Sequence, residues 1–221
     1  MSRPETDAQR ASVLAAYGAI SRWLRPAVQT LVPSVDEVLS SARERFEDML
    51  DELPYVDRPG HTMAGSLFAC AVMLAVFEVL REKEVDAHSW GRAIHALPSS
   101  APRDDDEASR QRTRSDAEAS QAEADCNEFV FEILDADENG DRGMNITSCA
   151  ICHLFGKHGA MELVPYMCSF DDVMSDAGGL GLRRTGTIAL GASACDFRFR
   201  SGGESGRLAD QYPERIRLRD T

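Results

Sequence analysis

The chain has 221 residues, of which 43% are hydrophobic, enough to bury one sizeable core. Its 24 Lys and Arg residues against 37 Asp and Glu residues give a net charge of −13. This excess of acid excludes a nucleic-acid-binding protein, because binding to a phosphate backbone needs clustered positive charge. The longest apolar run, residues 67–77, is shorter than the roughly 20 residues that cross a bilayer, so no membrane partner is expected.

The composition of the N-terminus and the cysteine count together predict the compartment. The segment MSRPETDAQR is polar and lacks the apolar stretch of a secretory signal. Six cysteines in a chain without an export signal indicate a reducing environment, where thiols stay free or bind metal. We therefore expect a cytoplasmic protein, folded as a single domain over residues 1–221.

The first 97 residues carry the periodicity of helices. Apolar residues recur at three- and four-residue steps, and Pro26 is expected to kink or divide the first helix. Ser34 and Glu37 have the spacing of a capping box, and Asp86 is placed to cap the last helix. The third helix is apolar on nearly every side and is expected at the centre of the core. The predicted helices span residues 13–31, 35–53, 63–83 and 86–97.

Two segments are too polar to bury surface. Residues 98–125 contain no large apolar side chain, which predicts either a mobile linker or a solvated helix. Their composition favours a disordered beginning and a helix from about Glu107 onward. The tail from Ser201 is glycine-rich and charged, and is expected to be disordered for most of its length.

Beyond the linker the pattern changes to that of strands. Residues 129–134 alternate as a strand requires. The DADENGDRG segment that follows has oxygen ligands at the first positions of a calcium loop, but Ile146 stands where that loop needs a glutamate, so a wide hairpin turn is predicted. Two helices and two hairpin strands complete the pattern, at Thr147–Lys157, Met161–Ala177, Leu182–Leu190 and Cys195–Arg200.

These elements predict an α+β fold, with the helical N-terminal half packed on a small antiparallel β-sheet and two short helices. Residues 126–200 are the part expected to carry a functional site, because four of the six cysteines lie between Met144 and Arg200. The site is predicted between the sheet and the two short helices.

Cys149, Cys168 and Cys195 each lie where a predicted element begins or turns. The surrounding motifs are NITSC at 145–149, PYMCSFD at 165–171, RTGT at 184–187 and CDF at 195–197. In order and spacing this series resembles the L-2-amino-thiazoline-4-carboxylic acid hydrolase family. The resemblance covers about a quarter of the chain by motif and is more specific for the fold than for the substrate.

The resemblance implies a hydrolase that opens a small cyclic C–N/C–S compound, such as a 2-aminothiazoline carboxylate, to an N-carbamoyl amino acid. The resemblance is also compatible with a hydrolase that acts on a related ring substrate in a biosynthetic pathway. By the same resemblance Cys168 is nucleophile or metal ligand, Asp171 is general base toward water, and Arg184 binds the substrate carboxylate. Cys149 and Cys195 are supporting thiols or ligands.

The residues themselves leave these roles open. Cys168 and Asp171 are three apart on a helix and share a face, but a carboxylate raises the pKa of a thiol, so a thiolate needs compensating charge from Arg183, Arg184 or His153. Otherwise Cys168 is a small buried apolar residue. Two further substrate contacts are predicted, at Asn145 and Thr185, although Asn145 serves equally well as a turn cap.

Cofactor chemistry is weakly indicated. Cys149, Cys168 and Cys195 have the ligand types for zinc, with water or Asp171 as the fourth ligand, but lack paired Cys-x-x-Cys spacing. Cys149-Ala-Ile-Cys152-His153 matches a c-type haem attachment motif, which requires export, so haem is not expected. Cys152 has no counterpart in the family pattern, and two other cysteines are assigned structural roles: Cys70 and Cys126.

A competing hypothesis is a non-catalytic module that binds a small ligand or metal, since the segment also loosely resembles four-vinyl-reductase type domains. The expected partner is a small-molecule substrate, and the chain is either a monomer or a homo-oligomer.

Overall fold

The computed structural model describes residues 4–99, 107–122, 125, 127–138 and 141–218. It combines helices with one antiparallel sheet, which confirms the predicted α+β class. The helices are α1 (Pro4–Leu31), α2 (Val35–Met49), α3 (Ala64–Glu82), α4 (Ala87–His95), α5 (Glu107–Ala122), α6 (Ala150–Lys157), α7 (Val164–Gly178) and α8 (Leu208–Gln211). The strands are β1 (Val130–Leu134), β2 (Arg142–Ser148), β3 (Leu182–Arg183) and β4 (Cys195–Phe199). Short 3-10 helices lie at Met161–Leu163 and Ile188–Leu190.

Helix α3 is the centre of the core. Twelve of its 19 residues are buried, and α1, α2, α4 and α6 pack against it. Among the described residues it is the one helix long and apolar enough to cross a membrane, but 72% of its apolar window is buried inside the protein. The indole N–H of Trp90 in α4 donates to the carbonyl oxygen of Met73 at 3.2 Å. These contacts are those of a core helix, as predicted.

Tertiary contacts override two local signals in the helical half. Helix α1 continues through Pro26, so of the predicted kink or division the division is wrong. The next residues, Ala27 and Val28, are buried against the core. Burial of this last turn offsets the roughly 3 kcal/mol that an internal proline costs. The predicted capping box is also wrong. Ser34 makes no side-chain cap, and Glu37 instead accepts a hydrogen bond from Lys83 Nζ at 2.8 Å.

The sheet has the strand order β1-β2-β4-β3, and every neighbouring pair is antiparallel. Strands β1 and β2 form the predicted hairpin around residues 135–141, of which 139 and 140 lie outside the described part of the chain. Because successive side chains in a strand point to opposite faces, Met144 and Ile146 of β2 share one face. Cys195 and Phe197 of β4 lie on the same side, toward the helices.

Two predicted boundaries around the sheet are wrong. Of the expected strand at residues 182–190, only Leu182 and Arg183 pair with β4, because the Asp196 carboxylate binds the next backbone amides and turns the chain away. Asn145, expected at a turn, and Thr147, expected at the start of a helix, both lie in β2, which pairs with β1. The following helix therefore begins at Ala150 rather than at Thr147.

The helical end of the polar linker is confirmed as α5, while its predicted disordered beginning falls mainly on residues 100–106, outside the described residues. Helix α5 covers the edge strand β1 with polar groups. Phe131 N–H donates to Ser120 Oγ at 3.2 Å, and the Phe131 carbonyl accepts from Gln121 Nε2 at 3.1 Å. This satisfies backbone groups that an open sheet edge would expose.

The C-terminal tail is ordered as far as residue 218, contrary to the prediction of disorder. Leu208 and Ile216 are buried. The backbone N–H of Leu208 donates to Asp172 Oδ2 at 2.8 Å, and that of Arg217 donates to Tyr166 Oη at 3.0 Å. Two apolar anchors and two hydrogen bonds to α7 thus hold a segment whose composition alone indicated disorder.

Helices α4 and α7 meet at Gly91, where a Cβ atom would lie 2.3 Å from the ring of Tyr166. We expect Gly91→Ala to destabilise the protein by about 1–3 kcal/mol, since the fully buried Tyr166 must shift. The matched control is Gly18→Ala in α1, where the added atom meets only Arg22 at 3.6 Å and should stabilise by roughly 0.5–1 kcal/mol. Urea denaturation measures both, and equal effects would contradict the close contact.

Candidate active site

A cavity of about 380 Å³ lies between α3, α7 and the inner face of the sheet. Strands β2 and β4 supply every second residue to its wall, and α6 supplies its N-terminal turn. Its lining is mainly apolar, with cysteines and one acidic side chain among methionines and phenylalanines. The lining residues are Met63, Ser66, Ala69, Cys70, Met73, Phe129, Met144, Ile146, Cys149, Ile151, Val164, Met167, Cys168, Phe170, Asp171, Met174, Ser175, Leu180, Leu182, Cys195, Phe197 and Phe199.

The fold brings the three cysteines of the motif series to this one cavity. Cys149 is the residue before α6, Cys168 lies in the second turn of α7, and Cys195 begins β4. Cys70 of α3, expected to be only a structural residue, also lines this cavity. Cys126, assigned the same role, lies outside the described residues. Four thiols from four elements therefore share a wall.

Thr187 connects two of these thiols. Its Oγ1 lies 3.4 Å from Cys168 Sγ and 3.2 Å from Cys195 Sγ, and its side chain is fully buried. Cys195 Sγ also accepts a hydrogen bond from the backbone N–H of Ile188 at 3.3 Å. In the part of the chain that the structure describes, no three His, Cys, Asp or Glu side chains form a metal-binding group. Zinc binding by Cys149, Cys168 and Cys195 would require Thr187 to move from between the sulfurs.

The environment keeps the cavity thiols protonated. Burial raises the pKa of the Cys168 thiol well above its usual value, and Asp171 raises it further, while Thr187 and Arg184 oppose the shift only in part. The neighbouring Cys152 thiol and burial raise the pKa of Cys149. Burial likewise raises the pKa of Cys195. None of these groups is therefore a resting thiolate at neutral pH.

The acidic group of the cavity is held by a buried arginine. Arg184 Nη1 donates to Asp171 Oδ2 at 3.0 Å, and Nη2 donates to Asp172 Oδ1 at 3.0 Å and to the Cys168 carbonyl oxygen. The Arg184 side chain is 2% exposed, whereas that of Asp171 keeps 46% of its exposure because it faces the cavity. The guanidinium thus orients a carboxylate that remains accessible to a ligand.

Burial also raises the pKa values of the two carboxyl groups. It raises the pKa of Asp171, and it raises the pKa of Asp172 to about 6, in both cases against the opposing charge of Arg184. Two carboxylates share one guanidinium here, so the second ionisation leaves a net negative charge in a poorly solvated place. Burial therefore shifts the pKa of Asp171 in the direction that suits a general base.

Three predicted substrate contacts have other partners. Arg184 does not line the cavity, and its Nε makes no hydrogen bond within the described residues. Asn145 lies on the opposite face of β2, where it bonds to Glu132 at 2.6 Å and to Arg198 at 2.9 Å. Thr185 is exposed and donates from its hydroxyl to Asp196 at 2.7 Å. The contacts of Asn145 and Thr185 hold the sheet and the loop in place, and Arg184 acts on the cavity only through Asp171.

Sequence reasoning missed Thr187, Asp172 and Cys70. Of these three residues, Thr187 had a signal in the sequence, because it is the last residue of the RTGT motif. Asp172 adjoins a predicted base, and only the fold turns it toward Arg184 and the tail. Cys70 lies in an apolar helix and has no signal of its own.

The Cys149-x-x-Cys152-His153 motif opens α6. Of its three residues only Cys149 lines the cavity, and His153 Nε2 is buried without a hydrogen-bond partner among the described residues. The motif therefore presents one thiol, and not a thiol pair with a histidine, to the cavity.

The burial of Asp172 predicts a pH effect on stability. The folded pKa of Asp172, about 6, lies above the roughly 3.9 of an unfolded aspartate, so the folded protein holds this proton more tightly. That contribution is complete below about pH 4 and is lost as the pH rises to about 6. Relative to Asp172→Asn, the wild-type protein should lose up to roughly 3 kcal/mol of unfolding free energy over this range. Urea denaturation at several pH values measures it, and parallel curves would contradict the raised pKa.

Comparison with known proteins gives one result at the level of family. The sequence model described as L-2-amino-thiazoline-4-carboxylic acid hydrolase matches residues 67–199, which run from α3 to the last residue of β4 and make up more than half of the chain. The matched region includes every residue that lines the cavity except Met63 and Ser66. No curated protein and no solved structure matches the chain. The chain belongs to the L-2-amino-thiazoline-4-carboxylic acid hydrolase family.

Proposed function

We propose that this protein hydrolyses a small ring of the 2-aminothiazoline type, opening it to an N-carbamoyl product. The observation that carries the proposal is the Asp171 carboxylate, which Arg184 holds at 3.0 Å on the wall of a ligand-sized cavity. Membership of a hydrolase family supports it. The mainly apolar lining also supports it, because an oriented charge acts more strongly in surroundings of low polarity.

In this proposal Asp171 is the general base and water is the nucleophile. Asp171 takes one proton from water as the oxygen bonds to the amidinium carbon between ring nitrogen and ring sulfur. The tetrahedral intermediate then collapses, the C–S bond breaks, and the proton on Asp171 passes to the departing sulfur. The second proton of the water is lost to solvent as the carbonyl group forms. The product carries a free thiol and a urea.

The roles of the thiols follow from their protonation. Cys168 lies beside Asp171 but holds its proton, so it contacts the reacting ring as a thiol and does not attack it. Thr187 holds the sulfurs of Cys168 and Cys195 in place. Cys149 completes the wall at the start of α6. A metal ion is not part of the proposed reaction.

The proposal also includes the cellular compartment and the binding partner. The five described cysteines are free, which supports a reducing compartment such as the cytoplasm. The proposed partner is the small-molecule substrate itself, and the ring is supplied and consumed within a biosynthetic sequence.

The test compares two side chains one helical turn apart. Asp171→Asn should lower kcat for 2-aminothiazolines by about 100-fold or more, the usual effect of losing a general base. Cys168→Ser should lower it by no more than about tenfold, since no covalent bond to sulfur is formed. Loss of ring absorbance and mass spectrometry of the product measure turnover.

The control is Glu132→Gln, which removes one negative charge on the far face of the sheet and should leave kcat unchanged. A loss for Cys168→Ser as large as that for Asp171→Asn would contradict attack by water. Tight binding of the ring without any turnover would contradict the hydrolase and favour the non-catalytic binding module.

A further inference from the structure

The cavity offers a ligand little besides apolar surface and one negative group. Five methionines and four phenylalanines line it. No Lys, Arg or His belongs to the wall formed by the described residues, and Asp171 is the acidic side chain among them. Methionine and phenylalanine side chains accommodate apolar groups of varied shape. The wall therefore complements an apolar ligand that carries positive charge.

The nearest guanidinium is not available to an anion. Arg184 is 2% exposed at its side chain, and its two terminal nitrogens donate to Asp171, Asp172 and the Cys168 carbonyl. With both carboxylates ionised, this group of three side chains has a net charge of −1. A carboxylate placed in the cavity would face this charge without a cationic partner, in surroundings where an unpaired ion is strongly disfavoured.

The volume points to more than a bare ring. About 380 Å³ is within the range of roughly 300–1,000 Å³ seen for sites that take cofactors and drug-sized ligands. A five-membered ring is smaller than the ligands that such sites take, so a ring next to Asp171 would leave part of this volume unfilled. An apolar substituent on the ring would occupy that space and gain from its burial.

We propose that the substrate of this protein is a cyclic amidinium that bears an apolar substituent and has no free carboxylate. The inference rests on the proposed ring hydrolysis and specifies the class of ring. The amidinium N–H donates to Asp171, whose orientation Arg184 sets, and the substituent lies among the methionines and phenylalanines. The same positive charge makes the amidinium carbon the point of attack for water.

Three synthetic probes test the ligand class by calorimetric binding at neutral pH. They are 2-amino-4-benzyl-2-thiazoline, which is cationic and apolar; 4-benzyl-thiazolidin-2-one, which has the same shape without charge; and L-2-amino-2-thiazoline-4-carboxylate. The benzyl thiazoline should bind at least about tenfold more tightly than either of the others. Equal or tighter binding of the carboxylate would overturn the proposal.

Variants identify the group that recognises the charge. Asp171→Asn should reduce the affinity of the benzyl thiazoline to that of the neutral thiazolidinone, which should itself be unaffected. Glu132→Gln, with the same loss of charge on the far face of the sheet, should change neither affinity. Unchanged binding of the benzyl thiazoline to a folded Asp171→Asn protein would overturn the proposal. If that variant fails to fold, the comparison of the three probes on the wild-type protein still decides.

Binding and turnover separate this inference from the proposed function. Tight, Asp171-dependent binding of the benzyl thiazoline without ring opening would support the ligand class and refute the hydrolase. Preferred binding and turnover of the carboxylate would support the hydrolase and refute the ligand class.

Discussion

The structure depends on one buried group of charges, in which Arg184 lies between Asp171 and Asp172. A guanidinium in the interior is strongly disfavoured unless it is paired and hydrogen-bonded, and two adjacent carboxylates on α7 meet that requirement. The contact joins the helix that carries Cys168 to the loop that carries Thr187. Through the Leu208 amide on Asp172, it also holds the C-terminal tail. Local order in three segments therefore depends on one side chain.

The same group sets the chemistry of the cavity. It places an oriented, accessible carboxylate on a wall that is otherwise apolar, and it surrounds Cys168 with negative charge and little water. Under these conditions the carboxyl group loses its proton more readily than the thiol, which is why we propose Asp171 as the base. The family pattern is rich in cysteine, whereas the electrostatics of this chain favour Asp171 as the proposed base, and the thiols form part of the cavity wall.

The charge of the cavity lining distinguishes this chain from what the family description leads one to expect. The family description names a substrate with a carboxylate, yet the described lining of this cavity contains no basic side chain. The one arginine of the motif series is used inside the protein. A shared fold with a site reset by a few side chains is a common way for related proteins to differ in substrate.

The motif series in the sequence indicated the family, while periodicity and composition determined the α+β class, the central place of α3 and the hairpin of β1 and β2. These follow from patterns that repeat within ten to twenty residues, where local geometry decides which face is buried. The motif series also indicated that Cys149, Cys168 and Cys195 share a site, and all three line the cavity.

What only the tertiary structure decided was how side chains distant in sequence pair. Pro26 lies inside α1, Glu37 accepts a hydrogen bond from Lys83 instead of forming a capping box, and the tail is bound to Asp172 through Leu208. Such contacts join residues that are distant in the sequence. The role of Arg184 was decided in the same way. The sequence shows an arginine about a dozen residues after two aspartates, but it does not show whether the arginine binds a ligand or those aspartates. Folding brings the three side chains together. Electrostatic attraction in a poorly solvated interior then favours the ion pairs inside the protein.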